Sequence, residues 1–285
     1  ASTAVGHRAL QANTTGNGNI AIGKDSLYTN TTGQYNISIG YDSLQQNTTA
    51  DSNVAVGHDA LKLNTTGDYN TGIGANALDS QTTGTVNTAV GYKAGHNITT
   101  SQDHTHIGAY AGVTVTNQSH TTYIGAYSGY HMSNTGNTAV GYRTLVGSSG
   151  NSDGHSNTAM GYRSLEDLTS GDNNTCYGYD TGKEVTTGSS NTFMGYQAGM
   201  NTTTGSSNTV VGHYTGRNIT TGGQNVLIGN NVATYVTQLT TGSKNILIGP
   251  YAKISSASVD NEFLIAHNAT GKGNRTFYVN SDLGV

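Results

Sequence analysis

Asn87-Thr88-Ala89-Val90-Gly91-Tyr92-Lys93-Ala94-Gly95 is one copy of a phrase that runs through the chain. Seventeen residues earlier stands Asn70-Thr71-Gly72-Ile73-Gly74, and seventeen before that Asn53-Val54-Ala55-Val56-Gly57-His58. An apolar residue followed by Gly recurs at Gly6, Gly23, Gly40, Gly57, Gly74, Gly91, Gly108, Gly125, Gly141, Gly161, Gly178, Gly195, Gly212, Gly229 and Gly249, and Ala266 fills the next slot. Twelve of the fifteen spacings are 17 residues; the others are 16 (125 to 141) and 20 (141 to 161, and 229 to 249). Self-similarity held in phase over such a length marks a stacked-repeat architecture.

The residues before each anchor Gly read as a short strand, because β-branched side chains alternate with small ones at period two. The anchor Gly lets the chain turn with φ > 0 or pass close to a neighbour. A second turn is written as Thr-Thr-Gly at Thr14-Thr15-Gly16, Thr31-Thr32-Gly33, Thr65-Thr66-Gly67, Thr186-Thr187-Gly188 and Thr220-Thr221-Gly222. No helix longer than a turn is expected. The fold class that follows is all-β, a β-solenoid or β-roll of about sixteen 17-residue coils stacked at ~4.8 Å.

In a strand, residues two apart share a face. The columns Val5, Ile22, Ile39, Val56 and Thr3, Ile20, Ile37, Val54 are the more apolar, so they are expected to point into the coil. The residue between them is then expected outside: Ala4, Ala21, Ala55 and Ala89 early, and Phe193, Val210, Leu227, Leu247 and Leu264 late. Soluble monomers avoid an outward apolar stripe of that length. Ala89, Phe193, Val210, Leu227, Leu247 and Leu264 are accordingly expected to form an inter-chain packing surface, wound as a parallel homotrimer.

Composition excludes several functions. Of 285 residues, 40 are Gly, 1 is Pro and 1 is Cys, and charged residues are 10% against a usual ~25%. A net charge of −4 without a basic run gives no handle for a phosphate backbone, so nucleic acid is not expected as a partner. No stretch approaches the ~20 apolar residues of a membrane-spanning helix, so no membrane insertion is expected. A single Cys rules out a disulfide framework or a cysteine-based zinc site. Four regions follow from the phase: a regular array over 1–124, a disturbed stretch with a polar Gly/Ser loop (147–154) over 125–171, a second array over 172–249, and a terminating segment over 250–285 that opens with Pro250. The first residues already lie within a repeat, and an uncapped solenoid end invites pairing. Either more chain precedes Ala1 in the complete molecule, or the bare end is expected to stack head-to-tail on another copy into longer filaments.

Candidate chemistry is sparse. Cys176 sits in the strand-centre column, and a packed structural thiol is the expected role. Glu166, Glu184 and Glu262 are the only glutamates, and carboxylates are not expected to meet in matched columns of adjacent coils. A glycosidase pair is therefore not expected, and no catalytic residue or cofactor is assigned. His104-Thr105-His106 places two imidazoles on one face of a strand; on the face assigned to a trimer axis, three copies would offer six nitrogens to a transition metal. The residue after the anchor is often aromatic: Tyr92, Tyr142, Tyr162 and Tyr196 are expected to stack along the array and are candidate glycan contacts. The Thr-Thr-Gly rows suggest ice contact as an alternative function. Twelve Asn-x-Ser/Thr sequons, among them Asn13, Asn30, Asn47, Asn64, Asn201 and Asn218, are candidate glycosylation sites.

The phrases Asn-Thr-Ala-Val-Gly-Tyr (87–92) and Asn-Thr-Thr-Gly (13–16, 30–33, 64–67) resemble the repeat shafts of phage and viral tail-fibre proteins. The strand-plus-Gly element is also similar to the β-roll heads of trimeric autotransporter adhesins. Residues 261–266 and 277–285 resemble the boundary that follows such arrays; the chaperone or knob domain that those fibres carry there is not within residues 1–285, so it is expected to have been cut off, to lie outside this sequence or never to have been present. The resemblance implies a non-enzymatic, trimeric, extracellular structural fibre with an adhesive surface, whose partners are itself and a cell-surface glycan or protein receptor. The alternatives are a monomeric ice- or glycan-binding solenoid and a polysaccharide-degrading spike.

Overall fold

A computed structural model describes residues 1–116, 119–148, 152–234 and 238–279. Residues 149–151 of the polar loop, 235–237 of the second long spacing and 280–285 of the closing segment lie outside that set. The protein is all-β, a parallel β-solenoid of 17 three-residue strands in about sixteen turns, and no helix occurs among the described residues. The chain forms two compact units, 1–140 and 141–285. The break between them falls within the stretch where the 17-residue phase is disturbed.

Unit 1 carries β1 (Thr3–Val5), β2 (Ile20–Ile22), β3 (Ile37–Ile39), β4 (Val54–Val56), β5 (Thr71–Ile73), β6 (Thr88–Val90), β7 (Thr105–Ile107), β8 (Thr122–Ile124) and β9 (Thr138–Val140). Unit 2 carries β10 (Thr158–Met160), β11 (Thr175–Tyr177), β12 (Thr192–Met194), β13 (Thr209–Val211), β14 (Val226–Ile228), β15 (Ile246–Ile248), β16 (Phe263–Ile265) and β17 (Phe277–Val279). Within each unit every strand pairs in parallel with the next, one whole repeat further on, as in Ile20↔Ile37 and Thr192↔Thr209. The register equals the sequence period, so each side chain stands on its own repeat equivalent.

Gly40 shows why the anchor is invariant in kind. Its φ is 145°, where an L side chain is strained. A Cβ there would lie 2.3 Å from the carbonyl oxygen of Gly57 in the next coil. Both demands recur at Gly23, Gly57, Gly74, Gly91, Gly195 and Gly212, whose φ values run from 128° to 137°. Conformation and close approach together leave glycine as the only residue that fits. At the Thr-Thr-Gly corner the ladder continues: the Thr31 and Thr32 amides both donate to Thr48 O, at 2.9 and 3.2 Å.

The strand faces are the reverse of the sequence expectation. The centre residue is inside the coil: Ala89, Phe193, Val210, Leu227, Leu247 and Leu264 are all fully buried within a single chain. The flanking residues face out, so that Phe193 is 0% exposed while its neighbour Met194 is 42% exposed. The six residues assigned to inter-chain packing are therefore core residues. The physical reason lies four residues past the anchor, where the partner of the strand centre sits. Coils with a small centre (Ala21, Ser38, Ala55) place Leu27, Leu44 and Leu61 there, fully buried. The coils centred on Tyr123, Cys176, Phe193 and Val210 place Gly there: an added Cβ at Gly199 would stand 2.8 Å from the Phe193 ring, and one at Gly129 2.4 Å from Tyr123. In these coils core size is exchanged between the two columns, as close packing requires.

Candidate functional site

With the strand centres inside, the outward sheet face is built from the first and third residues of each strand. The third is Val, Ile or Met in 16 of the 17 strands and Tyr177 in β11, and the first is Thr, Val, Ile or Phe; neither column holds a charge. Val5, Ile22, Ile39, Ile73 and Ile107 in unit 1, and Met160, Met194, Ile228 and Ile265 in unit 2, are exposed. The sequence contains this stripe plainly, but the expectation placed it indoors. Contiguous apolar surface rimmed by polar groups is the ordinary mark of an interaction site.

Beside this face runs the aromatic column. In unit 2 the rings of Tyr142, Tyr162, Tyr179, Tyr196 and His213 stack successively with centroids 5.6, 4.8, 5.1 and 5.2 Å apart. Their planes lie within 21° of parallel. In unit 1 Tyr92 meets Tyr110 edge-on and Tyr41 stacks on His58. The expected stacking is present. Its consequence for the glycan assignment is geometric: inside the stack each ring face is covered by the next ring, so Tyr162, Tyr179 and Tyr196 offer edges and hydroxyls rather than the flat face a sugar stacks upon.

Asparagine supplies a ladder that the sequence reading missed. Four residues before each anchor stand Asn19, Asn36, Asn53, Asn70 and Asn87 in unit 1, and Asn157, Asn174, Asn191, Asn208, Asn225 and Asn245 in unit 2, all buried. The Oδ1 of Asn191 accepts the backbone N–H of Asn208 at 3.0 Å, while its Nδ2 donates to Gly205 O at 2.9 Å. Each amide thus satisfies a donor and an acceptor on the next coil, which buried backbone requires. The signal was present as a recurring Asn at a fixed phase, but polarity alone reads as surface.

A second amide ladder seals three of the candidate glycosylation sites. Asn30, Asn47 and Asn64 are fully buried, with Nδ2 of Asn47 donating to Asn30 Oδ1 at 2.7 Å and Nδ2 of Asn64 to Asn47 Oδ1 at 3.1 Å. Asn13 accepts from Asn30 at 2.9 Å. Sealed amides of a folded coil have no room for a sugar. Asn201 and Asn218 are half-buried and bonded to each other at 2.9 Å.

The two threonines of the Thr-Thr corner behave differently. The first turns its hydroxyl onto the next coil, as Thr31 Oγ1 does to Thr48 O at 3.0 Å and Thr186 Oγ1 to Thr203 O at 3.2 Å. The second is exposed at Thr15, Thr32, Thr49, Thr66 and Thr83, and again at Thr187, Thr204 and Thr221. One regular hydroxyl row therefore faces solvent.

His104 and His106 are not on an outward axis; both are buried in the coil interior. His104 Nδ1 and His106 Nε2 share the Thr121 hydroxyl at 2.7 and 2.9 Å, and His104 Nε2 meets Ser101 Oγ at 3.0 Å. Turned inward, with three of four ring nitrogens in these contacts, the pair cannot converge with copies from other chains on a metal. Among the described residues no cluster of three or more His, Cys, Asp or Glu could hold one. Cys176 is buried as well, and burial pushes its thiol far above the ordinary range, so it packs against Gly182 and Phe193 as an inert core group.

Carboxylates do share columns, against expectation: Asp25, Asp42 and Asp59 are spaced by 17. Each faces a cation. Arg8 grips Asp25 with two bonds of 2.6 Å, and Lys62 lies 2.9 Å from Asp59 and 3.2 Å from Asp42. In unit 2, Arg143 and Arg163 both place Nε 2.6 Å from Glu166, beneath Tyr142 and Tyr162 in a shallow groove. Paired in this way the carboxylates act as ionic rungs between coils. No helix among the described residues is long and apolar enough to cross a membrane. Comparison with known proteins returns no matching protein family, no matching characterised protein and no matching solved structure.

Proposed function

We propose that the protein is a non-enzymatic structural fibre whose coils pack on other copies of the same chain, as a parallel homotrimer, through the outward face of the sheet. The observation that supports this reading is the uncharged double column: apolar third residues (Tyr177 in β11) and Thr or apolar first residues in every strand of both units. Burying such a face gains about 25 cal/mol per Å² of apolar surface, repeated at each coil. The small, flat, β-branched side chains suit close approach of identical sheets, and a closed three-fold cyclic arrangement lets each copy cover part of the face of another. The extracellular setting and an adhesive role towards a surface glycan or protein come with the resemblance to fibre shafts, and the exposed edges of the tyrosine column are the surface that fits the second.

Light scattering on the purified chain tests the assembly. The expected mass is three times the 29.5 kDa of one chain. Ile39→Lys with Ile73→Lys, both on the outward column, is expected to leave folded monomers. A wild-type chain that stays monomeric at concentrations where it is folded would overturn the reading. The exposed row of second threonines supports a second reading, contact with an ordered hydroxyl lattice such as ice. Thermal hysteresis beyond that of buffer would favour it.

A further inference from the structure

We propose that the two imidazoles sealed inside the coils of β6 to β8 make that stretch of unit 1 open when its surroundings turn acidic. The site is the one place in unit 1 where the buried asparagine column is interrupted: after Asn87 come His104 and Thr121, and the ladder resumes at Asn137. His106 takes the strand centre of β7, over Gly112, where an added Cβ would stand 2.4 Å from its ring. The His104 and His106 rings are 5.0 Å apart, and His106 stacks on Tyr123 of β8 at 5.0 Å. They are the only buried histidines among the described residues.

The described groups that face the pair from β6, β8 and the flanking turns include Asn87, Ser101, Thr121, Tyr123, Gly95 and Gly112. None is a carboxylate. Asp103, the adjacent acidic residue in sequence, is exposed and lies 3.5 Å from His120 on the surface. The Thr121 hydroxyl has one proton, so in the neutral pair it donates to one imidazole and accepts from the other. His106 Nδ1 has no partner at all. A proton arriving on either ring therefore places a charge in a buried coil, beside a second imidazole, where the described groups that face it offer no anion. Burial and the neighbouring His104 hold His106 well below the ordinary histidine range.

The sign follows from linkage. A depressed folded-state value gives stability that is complete above the unfolded-state value of about 6.5 and is lost as pH falls below it. Each histidine held neutral makes opening about tenfold more favourable per pH unit in that window. Unit 2 has no buried histidine among its described residues and lacks this dependence.

Hydrogen exchange on the full chain, corrected for intrinsic rates, tests the proposal at a pH of about 7.5 and of about 5. Protection of the ladder amides of Thr88, Thr105 and Gly108 is expected to fall at least about tenfold at the lower pH, with that of Thr192 and Gly195 changing far less. Equal changes in both units, or none in either, would overturn it. His104→Asn with His106→Phe continues the asparagine ladder and copies the Phe193–Gly199 pairing. It is expected to abolish the acid dependence, and its persistence would also overturn the proposal. If that variant does not fold, His104→Asn alone is expected to lessen the slope, and the wild-type comparison of the two units needs no variant.

Discussion

Units 1 and 2 fill the same 17-residue frame in two ways. The first coils of unit 1 combine a small strand centre, a leucine past the anchor and an asparagine at the far corner, as in Ala21, Leu27 and Asn30. The middle coils of unit 2 invert each choice, with a large centre, a glycine and an apolar or Thr corner, as in Phe193, Gly199 and Thr202 or Val210, Gly216 and Ile219. Backbone path, anchor and asparagine column stay constant. The frame is thus set by backbone contacts between coils, and these coils redistribute core volume between the two columns within it.

The shared frame can be broken in either unit. Gly40→Val in unit 1 and Gly195→Val in unit 2 both drive a side chain into the next coil's carbonyl, at 2.3 and 2.5 Å already for Cβ. Each is expected to cost more than about 4 kcal/mol and to unfold the unit that carries it, read by its thermal melt. The volume exchange can be sharpened next. Phe193→Ala is expected to cost about 3–5 kcal/mol in unit 2. Adding Gly199→Leu copies the Ala21–Leu27 arrangement, whose leucine already adopts a φ of 49°, and should restore much of the loss. Simple additivity in that double-mutant cycle would contradict the exchange.

Smaller effects separate the ladders. Asn191→Ala leaves the Asn208 amide and Gly205 carbonyl without their partners and is expected to cost about 1–3 kcal/mol by chemical denaturation. Tyr179→Ala interrupts the five-ring stack at its tightest spacing and is expected to remove about 0.5–1.5 kcal/mol of ring contact beyond buried area. No ring stack in unit 1 is as long among the described contacts, so the corresponding Tyr92→Ala is expected to cost less.

The period made the solenoid legible, and with it the strands, the positive φ of each anchor and the Thr-Thr corner. Which strand face is inside was not legible from alternation, because Thr-Ala-Val and Ile-Ala-Ile present a more apolar exterior than interior. The evidence for it lay in a longer correlation, the exchange of Ala55 and Leu61 for Phe193 and Gly199, which only a closed coil explains. The asparagine column was visible as a repeat but its burial was not, since an amide is welcome inside only where a neighbouring coil offers both partners. The inward turn of His104 and His106 follows from the same reversal of faces, and so does the loss of the metal assignment.

Thr209-Val210-Val211 sets the two faces side by side in one strand, with Val210 fully buried and Val211 half-exposed. Thermal unfolding of Val210→Lys beside Val211→Lys tests the central claim most directly. With strand centres inside the coil, Val210→Lys must destroy the cooperative transition of unit 2, while Val211→Lys keeps a folded chain and weakens only its association. The reverse order, or equal loss in both, would return the strand centres to the outside and contradict the account.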